Sequence, residues 1–357
     1  MRKVTGFAVL LALVSQIVFI PAAQAKVWLL DRKWEKAQKQ SQYNDIVKKY
    51  GLDPDTEANE FCVNVSNRLL QQIKKQNKVE LDYSVFVIKQ KQPNAFAGLG
   101  GNIAVTRGMV DMLNGDEDEL AAILAHEYGH SIGAHLLDSI NGQLWTAVLF
   151  NQYLRNNNNS MSKIGAGIAF QQITTKGFGR SHEWAADNYG MRTATAAGYN
   201  PAGIAGSFQK FLEKYGDKHV SLLGEILSPE EHPSNKERIE NNMKFVTAYS
   251  GNLVTVHDEW VFLAKKPVVK PVTAAGKSAK ERAYLIAGSL AQALHEGHKE
   301  PARYSNGQIR MGTYSIMTVT ENDTDGESTA EAINNALNLP NEKVDADDTS
   351  MKQAEDA

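Results

Sequence analysis

The sequence predicts an α+β protein that is mainly helical and contains a small antiparallel sheet. The clearest helix runs from Glu117 to Leu137, where Asp116 can cap the N-terminus and the first turn is acidic. Two short segments, Leu81 to Ile88 and Ile103 to Thr106, have the composition of strands. The composition is that of a globular protein, since 42% of the 357 residues are hydrophobic and 22% are charged.

Apolar residues at helical spacing, together with capping and proline signals, indicate further helices. These helices are expected at residues 57–75, 183–197, 201–215, 233–248 and 279–296. Cys62 is the only cysteine, so no disulfide can form within the chain, and we expect it to be buried on the first of these helices.

The first 25 residues resemble a secretory signal peptide. Arg2 and Lys3 precede an uncharged, mostly apolar run from Gly6 to Ile20, and Ala23-Gln24-Ala25 offers a cleavage site. We therefore expect cleavage after Ala25 and export to the periplasm, with an uncleaved membrane anchor as the alternative. No other stretch reaches spanning length, so we expect no transmembrane segment in the mature chain.

The remaining chain divides by composition into residues 26–250, residues 251–320 and an acidic tail at 321–357. The tail carries 11 acidic residues against only Lys343 and Lys352, and this charge density predicts a segment that is disordered or loosely helical. The net charge of the whole chain is −3, which argues against a nucleic-acid partner. No internal repeat is apparent, and residues 251–320 give no indication of their role.

A five-residue motif, His126-Glu127-Tyr128-Gly129-His130, lies on the helix that begins at Glu117. Residues four apart on a helix project about 40° from each other, so two imidazoles can share one metal ion. Glu127 projects about 60° beyond His130, where its carboxylate can take a proton from a water on that ion. The motif therefore predicts a hydrolytic metal site, against the alternative of a coincidental polar helix face.

A catalytic zinc requires a third protein ligand. His135 lies nine positions after His126, about 180° around a continuous helix, and is expected to point away. A ligand six residues after His130 is excluded because Leu136 occupies that position. Glu183 and Asp187 are better placed, since they are four apart on a second predicted helix. One can bind the metal while the other orients a ligand imidazole, unless the two form only a solvated acidic face.

Four blocks together resemble peptidase family 48 of the zinc metallopeptidases, the HtpX-like and CAAX-prenyl-protease-like group, in its soluble exported bacterial branch. The blocks are Asn94 to Ala97 with Gly101 to Gly108, the 126–130 motif with His135, the Glu183 to Asp187 segment, and His232-Pro233 with Arg238. The resemblance implies a gluzincin-type fold and one Zn²⁺ ion per chain. It implies Glu183 as third ligand and Asp187 as a support for the ligands.

The resemblance leaves two residues with open roles. His232 could stabilise the oxyanion, could act as a reversible fourth ligand that keeps the site latent, or could be an ordinary loop histidine. Arg238 is expected to pair with a carboxylate of the site helices or to lie on the surface. The segment Ile103 to Thr106 is a candidate for an exposed edge strand to which an extended peptide adds, with an internal strand as the alternative.

The resemblance implies an endopeptidase that acts on misfolded or misassembled envelope proteins in protein quality control. Outer-membrane assembly components are the implied partners. A chaperone or assembly factor with a largely latent metal site is the alternative. A further alternative is a membrane-associated factor that places residues 144–173 against a bilayer or a partner.

Overall fold

A computed structural model describes residues 28–76, 79–150, 158–172, 177–217 and 233–341, with only the backbone described at 147–150 and 158–159. The prediction of a mainly helical α+β protein is confirmed. The signal segment and His232 lie outside the described residues. Among the described helices, none combines the length and the apolar character needed to cross a bilayer.

The helices are α1 Arg32–Ala37, α2 Lys39–Tyr50, α3 Thr56–Gln76, α4 Arg107–Leu113, α5 Glu117–Ile132, α6 His135–Phe150, α7 Asn158–Gln171, α8 Arg180–Ala196, α9 Gly203–Tyr215, α10 Asn235–Tyr249, α11 Ala279–His295 and α12 Gly326–Leu337. The strands are β1 Ser84–Ile88, β2 Ala95–Ala97, β3 Asn102–Thr106, β4 Val254–His257, β5 Trp260–Leu263, β6 Lys266–Val269, β7 Ala302–Ser305, β8 Gln308–Met311 and β9 Tyr314–Thr318.

The first sheet has the order β1-β3-β2 and is mixed rather than wholly antiparallel. β3 pairs in parallel with β1 and antiparallel with β2. Because both of its sides are occupied and all its residues are buried, β3 cannot be an edge strand. The prediction of an exposed edge at Ile103 to Thr106 is therefore wrong, and the edge beside α5 is β2.

The helix predicted from Glu117 to Leu137 ends at Ile132 instead. Gly133 donates its N–H to the carbonyl of Gly129, and Ala134 follows in the left-handed region with φ of 57°. A separate helix, α6, then begins at His135. This break changes the direction in which His135 points.

Helix α5 is the centre of the molecule, since every residue from Glu119 to Ser131 is buried. The Asp116 carboxylate caps it by accepting the N–H of Glu119 at 2.9 Å. The Glu119 side chain is fully buried and pairs with Lys210 of α9 at 2.7 Å. On another side α5 packs on α3, where Cys62 is buried as predicted.

Residues 254–337 consist of two consecutive β-β-β-α units. The strands that begin at Val254, Trp260 and Lys266 recur 48 residues later, at Ala302, Gln308 and Tyr314. The buried positions recur as well: Val261 corresponds to Ile309, and Leu263 to Met311. The region is therefore an internal duplication, although no repeat is apparent in the sequence.

Each unit places its third strand against the helix of the other unit, β6 on α12 and β9 on α11. One apolar core joins these units to α9 and α10, with members on both sides of residue 250 such as Phe208, Ile239 and Leu290. Helix α12 buries Ala330 and Ile333 in that core. Of the two expectations for the tail, residues 326–337 therefore follow the helical one rather than disorder, because this segment has an apolar face that its acidity obscured.

Candidate metal centre

Helices α5 and α8 approach closely because glycines face the partner helix. A Cβ atom on Gly129 would lie 3.0 Å from the backbone of Ala186, and one on Gly190 would lie 2.9 Å from the backbone nitrogen of His126. Ala186 is fully buried at this contact, whereas Ala185 is exposed. The close approach brings the carboxylates of α8 to the imidazoles of α5.

Three buried side chains, His126, His130 and Glu183, converge as a group able to hold a metal ion. The two imidazole Nε2 atoms lie 3.0 Å apart. The Glu183 carboxylate lies 3.5 Å from Nε2 of His126 and 3.6 Å from Nε2 of His130. All of the donor atoms lie within 4.8 Å of one another, so one ion can contact all three side chains.

Asp187 and Arg238 form a buried ion pair behind these donors. Asp187 lies 2.8 Å from Nδ1 of His126, and Nε of Arg238 donates to Asp187 at 2.8 Å. Arg238 also lies 3.4 Å from Glu183, and its guanidinium covers the ring of Phe208 at 3.9 Å. The structure thus brings together the sequence-predicted residues of α5, α8 and α10.

The charges around His126 have identifiable effects. Burial opposes ionisation of Asp187, but the Arg238 guanidinium holds the pKa of that carboxyl below its usual range. Burial and Arg238 act to lower the pKa of His126, but the hydrogen bond to Asp187 raises it above the ordinary value. Because Asp187 remains ionised, it can accept a hydrogen bond from Nδ1–H of His126 and leave Nε2 directed at the metal position.

Glu127 lies beside the three donors and is buried. Its carboxylate accepts a hydrogen bond from the backbone N–H of Ala97 on strand β2. Burial raises its pKa to about 7, against the opposing attraction of His126. A carboxyl group with this pKa can both accept and return a proton near neutral pH.

His135 contacts the site, contrary to the prediction that it points away. Its Nδ1 lies 3.0 Å from Nδ1 of His130, and its ring stacks on His182 at a centroid distance of 4.3 Å. Burial and the neighbouring His182 lower the pKa of His135 to about 4, so the ring is neutral and can accept the Nδ1 proton of His130. The helix break at Ala134 causes this placement, and Gly133 was the sequence signal for it.

Phe178 and His232 are the two further residues that bear on the site. Phe178, which the sequence did not single out, stacks on the ring of His130 at a centroid distance of 4.1 Å. His232 is outside the described residues, although Pro233 and α10 follow it directly. Its role stays a prediction.

The sequence model of peptidase family M48 matches residues 63–244, which is just over half of the chain and includes α5, α8 and Arg238. Similar proteins include the mitochondrial metalloendopeptidase OMA1 of Arabidopsis thaliana, 30% identical over 44% of this chain and 30% of that protein. A putative beta-barrel assembly-enhancing protease of Vibrio cholerae is 28% identical over 55% of this chain and 40% of that protein. The metalloprotease LoiP of Escherichia coli is 26% identical over 46% and 62%. The chain spans less than two thirds of each relative, and from the extent of the family match it belongs to peptidase family M48.

Proposed function

We propose that this protein is a zinc-dependent endopeptidase that hydrolyses misfolded or misassembled proteins of the cell envelope. The observation that carries the proposal is the convergence of His126, His130 and Glu183 beside the buried carboxyl of Glu127. Two imidazoles and one carboxylate are a donor set found at catalytic zinc sites, where a fourth position is left for water.

The donor spacing supports zinc as the ion. Ligands bound tetrahedrally at about 2.0–2.1 Å lie about 3.3 Å from one another. The observed separations between the three side chains are 3.0, 3.5 and 3.6 Å, close to this value. When bound here, zinc would polarise the scissile carbonyl and lower the pKa of a water molecule to about 7.

The residues around that position divide the remaining tasks. Glu127 removes a proton from the attacking water and then delivers it to the leaving amine, which suits its raised pKa. Asp187 and Arg238 fix the ring of His126, and His135 fixes the ring of His130. These contacts hold the donors in place before substrate binds.

Strand β2 is the element on which we place the substrate. The N–H of Thr106 bonds to Asn94 and that of Gly98 bonds to Asn102, so Ala95 and Ala97 turn their backbone groups away from β3. The Ala97 N–H reaches Glu127, which places this edge beside the catalytic carboxyl. Because Glu127 occupies that N–H, an extended substrate would pair with β2 through the backbone groups of Ala95, which would bring a peptide bond to the site.

The envelope location and the substrate class rest on the predicted signal peptide and on the relatives. Several relatives carry the name beta-barrel assembly-enhancing protease, including those of Yersinia pestis and Escherichia coli. We therefore propose a periplasmic enzyme whose partners include outer-membrane assembly components. His232 keeps its three predicted roles, and His232→Ala separates them: loss of activity supports oxyanion stabilisation, gain supports reversible blocking of the metal, and no change supports an ordinary loop histidine.

The test of the proposed function is cleavage of unfolded casein by the mature wild type and by Glu127→Gln. We expect the variant to retain zinc and lose cleavage, because only the group that moves the proton is changed. Glu117→Gln is the matched control, since Glu117 is an exposed glutamate on the same helix, and it should cleave normally. Full activity of Glu127→Gln would contradict the proposal.

A further inference from the structure

A groove lies between helix α11 and strand β9, apart from the metal centre. It encloses about 640 Å³, a volume typical of ligand sites, and its wall includes Asp118 at the start of α5. Asp118 precedes His126 by eight residues, which is about 12 Å along the helix. The groove is therefore separate from the metal centre, although both contact the same helix.

Strand β9 is an edge strand, and its free edge faces this groove. Met311 and Tyr314 close a two-residue turn, and the N–H of Val319 bonds to Gly307, so the register turns the backbone groups of Ser315 and Thr318 away from β8. Arg282 of α11 donates to the carbonyl of Thr318 at 3.1 Å, which confirms that this carbonyl points away from β8. The N–H and C=O of Ser315 therefore face the groove.

The duplicated unit offers a direct comparison, because Pro267 of β6 occupies the position that Ser315 occupies in β9. Pro267 lies opposite Phe262 as Ser315 lies opposite Arg310, but proline has no N–H to offer at that outward position. Lys266 also ties its strand to α12 by donating to the carbonyl of Asn335 at 2.8 Å. Natural sheets block their edges with proline and lysine, and β9 lacks both.

The walls of the groove favour an extended, partly apolar chain. Leu285, Ile286 and Ile316 line it, and the latter two are largely buried. The end at Thr318 is closed by Arg282, which pairs with Asp323 at 2.6 Å. The five residues of β9 extend about 17 Å, which fixes the length of chain that can pair with it.

We propose that this groove binds an extended segment of an unfolded polypeptide, which adds to β9 as a fourth strand of the β7-β8-β9 sheet. Backbone hydrogen bonds to Ser315 provide affinity with little dependence on sequence, and the apolar wall accepts alternate side chains. In a further step, which rests on the proposed function, the groove is an exosite for the substrate of the metal centre. It holds one part of an unfolded protein while the metal centre cuts another part.

The binding test uses the Glu127→Gln protein and a fluorescein-labelled ten-residue peptide of alternating Thr and Val with a terminal lysine at each end. Ser315→Pro copies the blocked edge of β6, and we expect about tenfold weaker binding by fluorescence anisotropy. Ser315→Ala keeps the N–H and should bind as the parent does. Ala274→Trp fills the groove without altering β9 and should also weaken binding.

Hydrogen exchange of the 313–318 segment locates the binding site. We expect the peptide to protect these amides in Ser315→Ala but not in Ser315→Pro, and a peptide N-methylated at every residue, which has no N–H on either edge, should protect neither. Equal affinity of all three variants, or no protection at 313–318, overturns the inference. Melting temperatures confirm that each variant is folded.

Turnover separates this inference from the proposed function. On otherwise wild-type protein, Ser315→Pro should lower kcat/KM for unfolded casein several-fold while leaving cleavage of a four-residue peptide unchanged. Absence of all proteolysis in the wild type, with peptide still bound at 313–318, would refute the proposed function and support the groove. Proteolysis by the wild type, without any effect of Ser315→Pro on casein cleavage or on peptide binding, would support the proposed function and refute the groove.

Discussion

Replacing Arg238 with methionine should destabilise the protein strongly, because it leaves Asp187 buried without its cation. The side chains of Arg238 and Asp187 are 3% and 1% exposed, and Glu183 lies 3.4 Å from the same guanidinium. Removing one partner of such a buried pair costs about 3–5 kcal/mol, since the remaining charge stays desolvated. We expect a loss of this size in the free energy of unfolding.

The same two helices provide a matched control. Arg180 of α8 pairs with Glu237 of α10 at 2.6 Å, but these side chains are 34% and 44% exposed. Arg180→Met should therefore change the free energy of unfolding very little, because solvent screens an exposed pair.

Urea denaturation monitored by tryptophan fluorescence measures both variants, in the presence of a chelator so that metal binding does not contribute. Equal and small losses in the two variants would show that the buried pair does not stabilise the contact between α8 and α10.

Three further predictions follow from individual side chains. Burial and nearby Asp116 raise the pKa of Glu119 well above its usual 4.5, so the folded state keeps the carboxyl proton to higher pH than the unfolded state does. The contribution of Glu119 to stability therefore falls as the pH rises from the unfolded pKa through the folded pKa. Glu119→Gln should therefore gain stability relative to wild type as the pH rises above 4.5, the ordinary pKa of the group, in urea titrations, and an unchanged difference would contradict this. Burial raises the pKa of the fully buried Cys62 thiol to about 12, so a thiol reagent at neutral pH should label it only after unfolding; rapid labelling of the native protein would be the contrary result. His135→Phe should weaken zinc binding by about 10–100-fold in competition with a chelator, whereas His182→Phe, which alters the stacked ring that does not contact His130, should not; equal effects would show that the hydrogen bond to His130 is unimportant.

The donor residues could be predicted from the sequence because helical geometry fixes which residues share a face. Spacings of four, from His126 to His130 and from Glu183 to Asp187, place each pair together whatever the rest of the fold does. The close approach of α5 and α8 was less accessible. It depends on Gly190 as well as Gly129, and only the packed structure shows which glycines face a neighbouring backbone.

The failure at His135 has a local cause. A position 180° from His126 requires one continuous helix as far as Leu137, but Gly133 and Ala134 end the helix and redirect His135. The sequence contained the signal, since glycine is the usual residue after a helix terminus. A strong periodic pattern on both sides of Gly133 outweighed that signal.

Strand positions were easier to predict than strand partners. The pattern at Ile103 to Thr106 indicates a strand, but its central place depends on β1 and β2, which pair with it from both sides. The duplication was hidden for a related reason. Val261 and Ile309, or Leu263 and Met311, conserve burial without conserving the residue type, so the two units share a pattern and little sequence.

The acidic tail shows that composition can conceal a short amphipathic helix. Asp325 caps α12 by accepting the N–H of Ser328, and Ala330, Ile333 and Ala336 bury one face. The acidic residues of this segment lie outside that face, so net charge alone did not distinguish a helix from a disordered tail.

Elemental analysis of zinc in the purified protein tests whether one zinc ion joins α5 to α8. We predict one zinc per chain in the wild type and in Glu127→Gln, and close to none in Glu183→Ala, because that variant removes the only donor that α8 contributes to the group of three. A full complement of zinc in Glu183→Ala would contradict the account.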